Sequence, residues 1–120
     1  MKRLLQCAVL LIFLCASAVA QMQIVELADP QVARSIAGVV VDPTSATIPR
    51  VLVEEYSSDW KSVLRSTYAD EKGKFRLSSK RKQKLYYLQF GCPGFNWVRL
   101  TIRLDSHGVG QLTVKLPIGT

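Results

Sequence analysis

Histidine is almost missing from this chain, and most familiar catalytic centres are missing with it. The 120 residues hold one histidine, His107, and three cysteines, Cys7, Cys15 and Cys92. A zinc site takes three or four His, Cys or carboxylate ligands, and His107 with Cys92, the one cysteine outside the first twenty residues, does not supply them convincingly. His107 lies next to Asp105 and Ser106, but the members of a Ser-His-Asp triad converge from separate elements. Asp105-Ser106-His107-Gly108 therefore reads as a polar turn. Glycine-rich phosphate loops are lacking too, and Asp42, Asp70 and Glu71 read as turn acids rather than calcium ligands. The expectation is a protein with no catalytic residues, no metal and no cofactor, and the inventory argues against a small hydrolase.

Beyond the first twenty residues, helical patterning is also lacking: no window places apolar residues at i, i+3, i+4 and i+7 over three turns. The first twenty have the order of a signal peptide, read as a helix. Lys2 and Arg3 precede an apolar run from Leu4 to Leu14, and Ala18-Val19-Ala20 forms an A-x-A cleavage site. The alternative is an uncleaved membrane anchor, for which Leu4–Ala20 is short of the roughly 20 residues needed. Cleavage removes two of sixteen cations and leaves fourteen facing nine acids. It also removes Cys7 and Cys15, so Cys92 has no partner for an internal disulfide. The localisation expected is secreted or periplasmic.

What is present, in place of helices, is a series of short Val-, Ile-, Leu-, Tyr- and Thr-rich runs spaced by Gly, Pro, Asp and Ser. Such spacing points to a β-sandwich or barrel. Residues 21–34 read as a linker with a short strand at Gln23–Leu27. Seven strands follow: Ile36–Asp42, Arg50–Ser57, Ser62–Ala69, Lys74–Ser78, Lys84–Phe90, Phe95–Leu104 and Val109–Leu116. In the second, Val51 and Val53 share one face, and Leu52, Glu54 and Tyr56 the other. Tyr86, Leu88 and Phe90 fall on one side at period two, and Cys92 continues their parity toward the interior. Val39, Val53, Phe75, Leu88 and Val114 are expected to share one core. A four-residue turn at Gly91–Gly94 would set Leu88 opposite Trp97, out of phase with the stronger apolar face Val98, Leu100, Ile102 and Leu104. A β-bulge or a longer loop near Trp97 is expected to absorb the extra residue.

The order of these motifs resembles the carboxypeptidase regulatory-like domains, which have a transthyretin-like sandwich. Gly38-Val39-Val40-Val41-Asp42 is similar to their opening G-x-V-x-D. Ile48-Pro49-Arg50-Val51-Leu52-Val53 is similar to I-P-G-A-x-V, with Arg50 in place of glycine. Ala69-Asp70-Glu71-Lys72-Gly73-Lys74-Phe75-Arg76-Leu77 is similar to T-D-x-x-G-x-F-x-L, with Ala69 in place of threonine. Tyr86-Tyr87-Leu88-Gln89-Phe90 and then Gly94-Phe95 are similar to Y-x-L-x-V and G-Y. The resemblance covers residues 35–117 and implies a seven-stranded antiparallel Greek-key β-sandwich. It also implies an accessory module, of the kind found beside peptidase domains, at the start of outer-membrane receptors, or alone in secreted proteins. No active site comes with it.

The most unusual feature is a basic run. Lys72, Lys74, Arg76, Lys80, Arg81, Lys82 and Lys84 put seven cations into thirteen residues. On one hairpin they would form a cationic edge suited to anionic lipid headgroups, lipopolysaccharide or an acidic polymer. The plain alternative is a set of lysines guarding an edge strand against pairing. Export, and the lack of aromatics in Ser79–Lys84, argue against nucleic acid. Trp60, after Ser57-Ser58-Asp59, either stacks on a sugar or anchors a protein, or else caps one end of the sandwich. Trp60, Lys80, Arg81, Lys82 and Lys84 are thus the candidate interaction residues. The expected function is non-catalytic support or binding of a protein partner in the cell envelope. The alternative is a carbohydrate- or anionic-polymer-binding module.

Overall fold

The computed structural model describes residues 23–119; the signal-peptide reading of residues 1–20 lies outside them. Among the described residues there are nine strands and no helix. They are β1 (Ile24–Glu26), β2 (Gln31–Ala33), β3 (Ile36–Val41), β4 (Leu52–Tyr56), β5 (Val63–Tyr68), β6 (Lys74–Leu77), β7 (Leu85–Gly91), β8 (Trp97–Leu104) and β9 (Leu112–Lys115). The larger sheet runs β1-β8-β7-β4-β5, with β2 also on β8, and the smaller runs β6-β3-β9. Strands β3 to β9 lie within the seven ranges expected from period-two patterning, except that β7 runs on to Gly91, which was read as the start of a turn. Two strands come in addition, both in the 21–34 segment. Strand β1 falls within the expected Gln23–Leu27. Strand β2 was not foreseen.

The pairing is not antiparallel throughout. Strands β1 and β2 run parallel to β8, and β3 runs parallel to β9. Alternate side chains of both sheets meet in one core, which includes Ile36, Val53, Phe75, Leu88, Phe90 and Val114. Val39 is a correction to the expected core: it is half-buried, while its neighbour Val40 is fully buried. The inward positions of β3 are Ile36, Gly38 and Val40. Glycine is required at 38 because a Cβ there would stand 2.8 Å from the carbonyl carbon of Leu112 on β9 and closer still to its oxygen. The two strands touch backbone to backbone.

The frame shift near Trp97 resolves as a longer loop. Strands β7 and β8 pair without interruption from Leu85 opposite Arg103 to Phe90 opposite Val98. Residues 91–97 take up the odd residue and keep Phe90 and Val98 on one face. That loop is clamped by the C-terminal segment, where Asn96 N–H donates to Pro117 O at 2.8 Å and Gly119 N–H to Gly94 O at 2.9 Å. The Trp97 ring lies on Gly91, where a Cβ would come 2.5 Å from Cε2. The one shift of register instead falls between Glu55 and Tyr56 on the β4–β5 side. Cys92 is half-buried against the core rather than enclosed by it, and burial pushes its thiol above the usual range.

Turn chemistry follows the sequence closely. Gly73 takes a φ of 77° in the turn after Asp70. Arg50 also adopts a left-handed φ of 56°, and its guanidinium meets Glu71 at 3.2 Å on the surface.

Candidate functional site

The side chains of β4, β7 and β8 that alternate with the core residues stand on the outer side of the larger sheet, where Tyr56, Tyr87 and Arg99 lie. Tyr56 is directly opposite Tyr87, and Gln89 is directly opposite Arg99. Trp60 reaches this surface from the β4–β5 turn. Ser57 Oγ donates to Asp59 Oδ1 at 2.6 Å, Lys61 N–H donates to the same oxygen at 3.0 Å, and Trp60 N–H donates to Ser57 O at 2.9 Å. These bonds hold Trp60 at a φ of 62°, a region that costs a non-glycine residue about 1–2 kcal/mol. The Ser57 hydroxyl, and then the Lys61 N–H, keep the Asp59 carboxyl below its usual range.

The indole is half-buried on the sheet. Its ring centroid is 5.5 Å from that of Tyr56 and 5.7 Å from that of Tyr87, the latter edge-on. Arg99 Cζ lies 4.7 Å from the Trp60 centroid and 5.5 Å from that of Tyr56, within range of a cation–π contact. The guanidinium is oriented from below: its Nε donates to Gln89 Oε1 at 2.8 Å, and Nη1 donates to Glu26 Oε1 at 3.5 Å. Trp60 therefore packs over the broad outer face of the sheet and does not close an end of the sandwich. Glu26 comes from β1, so the N-terminal strand completes the cluster.

The basic run does not lie on one hairpin, because β6 and β7 belong to different sheets: Lys74 and Arg76 are on β6, Lys72 precedes it, and Lys80, Arg81, Lys82 and Lys84 lie in the β6–β7 loop. Tyr86, fully buried at its ring, sends its hydroxyl into that loop, where it accepts from Lys80 N–H at 2.7 Å and lies 3.2 Å from Gln83 O. Lys82 has a φ of 67°. Lys80 is exposed as well, and its Nζ is 3.7 Å from Glu55 Oε2. Arg81, Lys82 and Lys84 are exposed and have no ion-pair partner among the described residues. Strand β4 ends at Tyr56 beside Tyr87, near the start of β7, so the Trp60 turn and the basic loop share one end of the larger sheet.

Glu55 is the residue that sequence reading missed. It is fully buried, with Oε1 accepting from Arg65 Nε at 2.6 Å. Arg65 also donates to Ser78 Oγ at 3.1 Å and to the Ser78 carbonyl, tying edge strand β5 to the end of β6. The signal was available: Glu55 continues the inward parity of Val51 and Val53.

His107 is exposed and donates its backbone N–H to Asp105 Oδ1 at 2.8 Å. The carboxylate of Asp42 accepts from Thr44 Oγ1, Thr44 N–H and Ala46 N–H at 2.6, 2.8 and 3.0 Å. Asp70 accepts from Lys72 and Lys74 N–H at 2.8 and 2.9 Å. Both acids serve their own turns. Among the described residues no group of three or more His, Cys, Asp or Glu is placed to hold a metal ion, and no helix is long and apolar enough to cross a membrane. No protein-family model matches the chain, and no curated protein matches its sequence.

Proposed function

We propose that this chain is an exported, non-catalytic accessory domain that docks a protein partner of the cell envelope through the outer face of its larger sheet. In this reading it is a transthyretin-like Greek-key sandwich of the carboxypeptidase regulatory-like kind, to which β1 and β2 are added. One observation carries the proposal: Trp60, Tyr56, Tyr87 and Arg99 form a packed, hydrogen-bonded cluster on an otherwise open sheet face. Trp, Tyr and Arg are the residues that most often dominate protein interfaces. Their rotamers are held before any partner arrives, which lowers the ordering cost of association.

A photo-crosslinking side chain at Thr101, on the same face of β8 as Arg99, tests the reading in the native envelope. The expected result is a discrete protein adduct that is lost on Trp60→Ala. Hydrolytic activity of the purified chain, or the lack of any protein adduct, would overturn it. The second reading, a carbohydrate- or anionic-polymer-binding module, is favoured by the Arg81, Lys82 and Lys84 loop lying at the Trp60 end of the sheet. It predicts glycan or polymer binding that Arg81→Glu and Lys82→Glu abolish.

A further inference from the structure

The smaller sheet has a charged outer face of its own, on the opposite side of the sandwich from Trp60. Since Phe75, Leu112 and Val114 are buried, Lys74 and Arg76 of β6 and Thr113 and Lys115 of β9 point outward. In register, Arg76 sits beside Ala37 and Lys74 beside Val39, while Thr113 flanks Val39 from the other side. The three strands of this sheet contain Lys74, Arg76 and Lys115 and no carboxylate. A fourth cation joins them. Arg34 lies against Gly110, where an added Cβ would collide with its Nη2.

A depression of about 410 Å³ opens on this face, lined by Ala37, Gly38, Lys74, Arg76, Gly110 and Gln111. Its floor is small because Ala37, Gly38 and Gly110 stand there. Asp70 closes one end, with its carboxylate already engaged by the N–H groups of Lys72 and Lys74. The side chains of Arg34, Lys74, Arg76 and Lys115 have no ion-pair partner among the described residues.

We propose that this face binds the phosphate groups of an anionic bilayer. Lys74, Arg76 and Arg34 around the depression take one headgroup phosphate, and Lys115, two strand spacings across and two residues along from Lys74, roughly 12 Å away, meets its neighbour. Two features favour a bilayer over a soluble acidic chain. The cations are spread across a flat sheet rather than along a groove. The outward positions of β3, β6 and β9 hold no aromatic ring, which bound bases and sugars commonly stack on. This surface is separate from the Trp60 face, so either reading can fail while the other stands.

The test is sedimentation with vesicles, using protein recovered from an exporting host, its N terminus fixed by mass spectrometry. Vesicles are phosphatidylcholine alone, equimolar phosphatidylcholine and phosphatidylglycerol, and phosphatidylcholine with lipid A. The expected result is binding to one or both anionic compositions and none to phosphatidylcholine; which of the two binds identifies the headgroup. A cation near such a surface contributes about fivefold in partitioning, so Lys74→Gln with Arg76→Gln weakens binding ~25-fold. Lys115→Gln weakens it ~5-fold, and serves if the double variant fails to fold. The proposal falls if phosphatidylcholine binds equally, if Arg81→Gln with Lys82→Gln causes the larger loss, or if heparin binds and vesicles do not. It falls too if inorganic phosphate, at matched ionic strength, displaces the protein, since the site would then take the free anion.

Discussion

Replacing Arg65 with methionine should be the most damaging single change of an ion-pairing residue in this domain. Glu55 has no solvent exposure and Arg65 retains 24%, so the pair lies where water cannot substitute for a lost partner. Its Nε–Oε1 bond is 2.6 Å, while Oε2 has no hydrogen-bond partner and only Lys80 Nζ nearby, at 3.7 Å. Methionine keeps most of the aliphatic stem but strands a buried carboxylate, and breaking such a pair costs about 3–5 kcal/mol. It also frees Ser78 and thereby the join between β5 and β6. For a domain of this size the loss lowers the melting temperature by at least ~12 °C. The assay is urea denaturation followed by tryptophan fluorescence, with the Glu55→Leu, Arg65→Met double variant alongside. Removing both charges together is often neutral or stabilising, so the double variant should recover most of what Arg65→Met loses. A loss below about 1 kcal/mol for Arg65→Met, the range of an exposed pair, would refute the argument. So would a double variant less stable than the single one.

Gly38→Ala should destabilise by about 1–3 kcal/mol or more, measured by the same denaturation, since the new methyl meets the Leu112 backbone rather than a side chain that can yield. Trp60→Gly should be more stable than Trp60→Ala by about 1 kcal/mol, because both lose the aromatic cluster and only glycine tolerates the left-handed φ; equal stabilities would argue against strain at this turn. Asp42, Asp59 and Asp70 all have carboxyls held below the usual 3.8, by Thr44 Oγ1, Ser57 Oγ and Lys74 N–H respectively. A lowered folded value means that the unfolded chain binds protons first as pH falls. Their stabilisation is therefore present above about pH 4 and fades as pH drops through the folded values. Stability measured across that range should fall less steeply in Asp42→Ala than in the parent.

Strands β3, β4 and β6 to β9 were legible because each buries one face and period two is visible within a few residues, whereas β5 has no fully buried residue and was legible from its run of strand-forming residue types. Pairing direction was not. Nothing within Ile36–Val41 or Leu112–Lys115 says that the two run parallel; that depends on β9 taking the edge of β3 opposite to β6. Strand β2 escaped for a related reason. Gln31-Val32-Ala33 follows a proline and has a single large apolar residue, so it is a strand only because β8 offers a free edge from Ile102 to Leu104. The loop before Trp97, by contrast, was legible as a conflict of parity. One face cannot change sides without an odd residue somewhere.

The candidate site was legible residue by residue but not as an assembly. Trp60, Arg81, Lys82 and Lys84 stood out by type, whereas Lys80, equally basic, is turned toward the buried Glu55 by a contact that crosses 25 positions. Tyr87 and Arg99 gained meaning only when the register placed them beside Tyr56 and Gln89. Backbone conformation adds an independent sign that no composition could give. Among the described residues, four other than glycine, Ser45, Arg50, Trp60 and Lys82, take a positive φ. Glycine would relieve that strain at each, so a side chain kept there must repay it. Trp60 packs against Tyr56, Tyr87 and Arg99, whereas the Arg50–Glu71 pair is exposed on both sides and contributes about 0–1 kcal/mol. Lys82 has no ion-pair partner among the described residues.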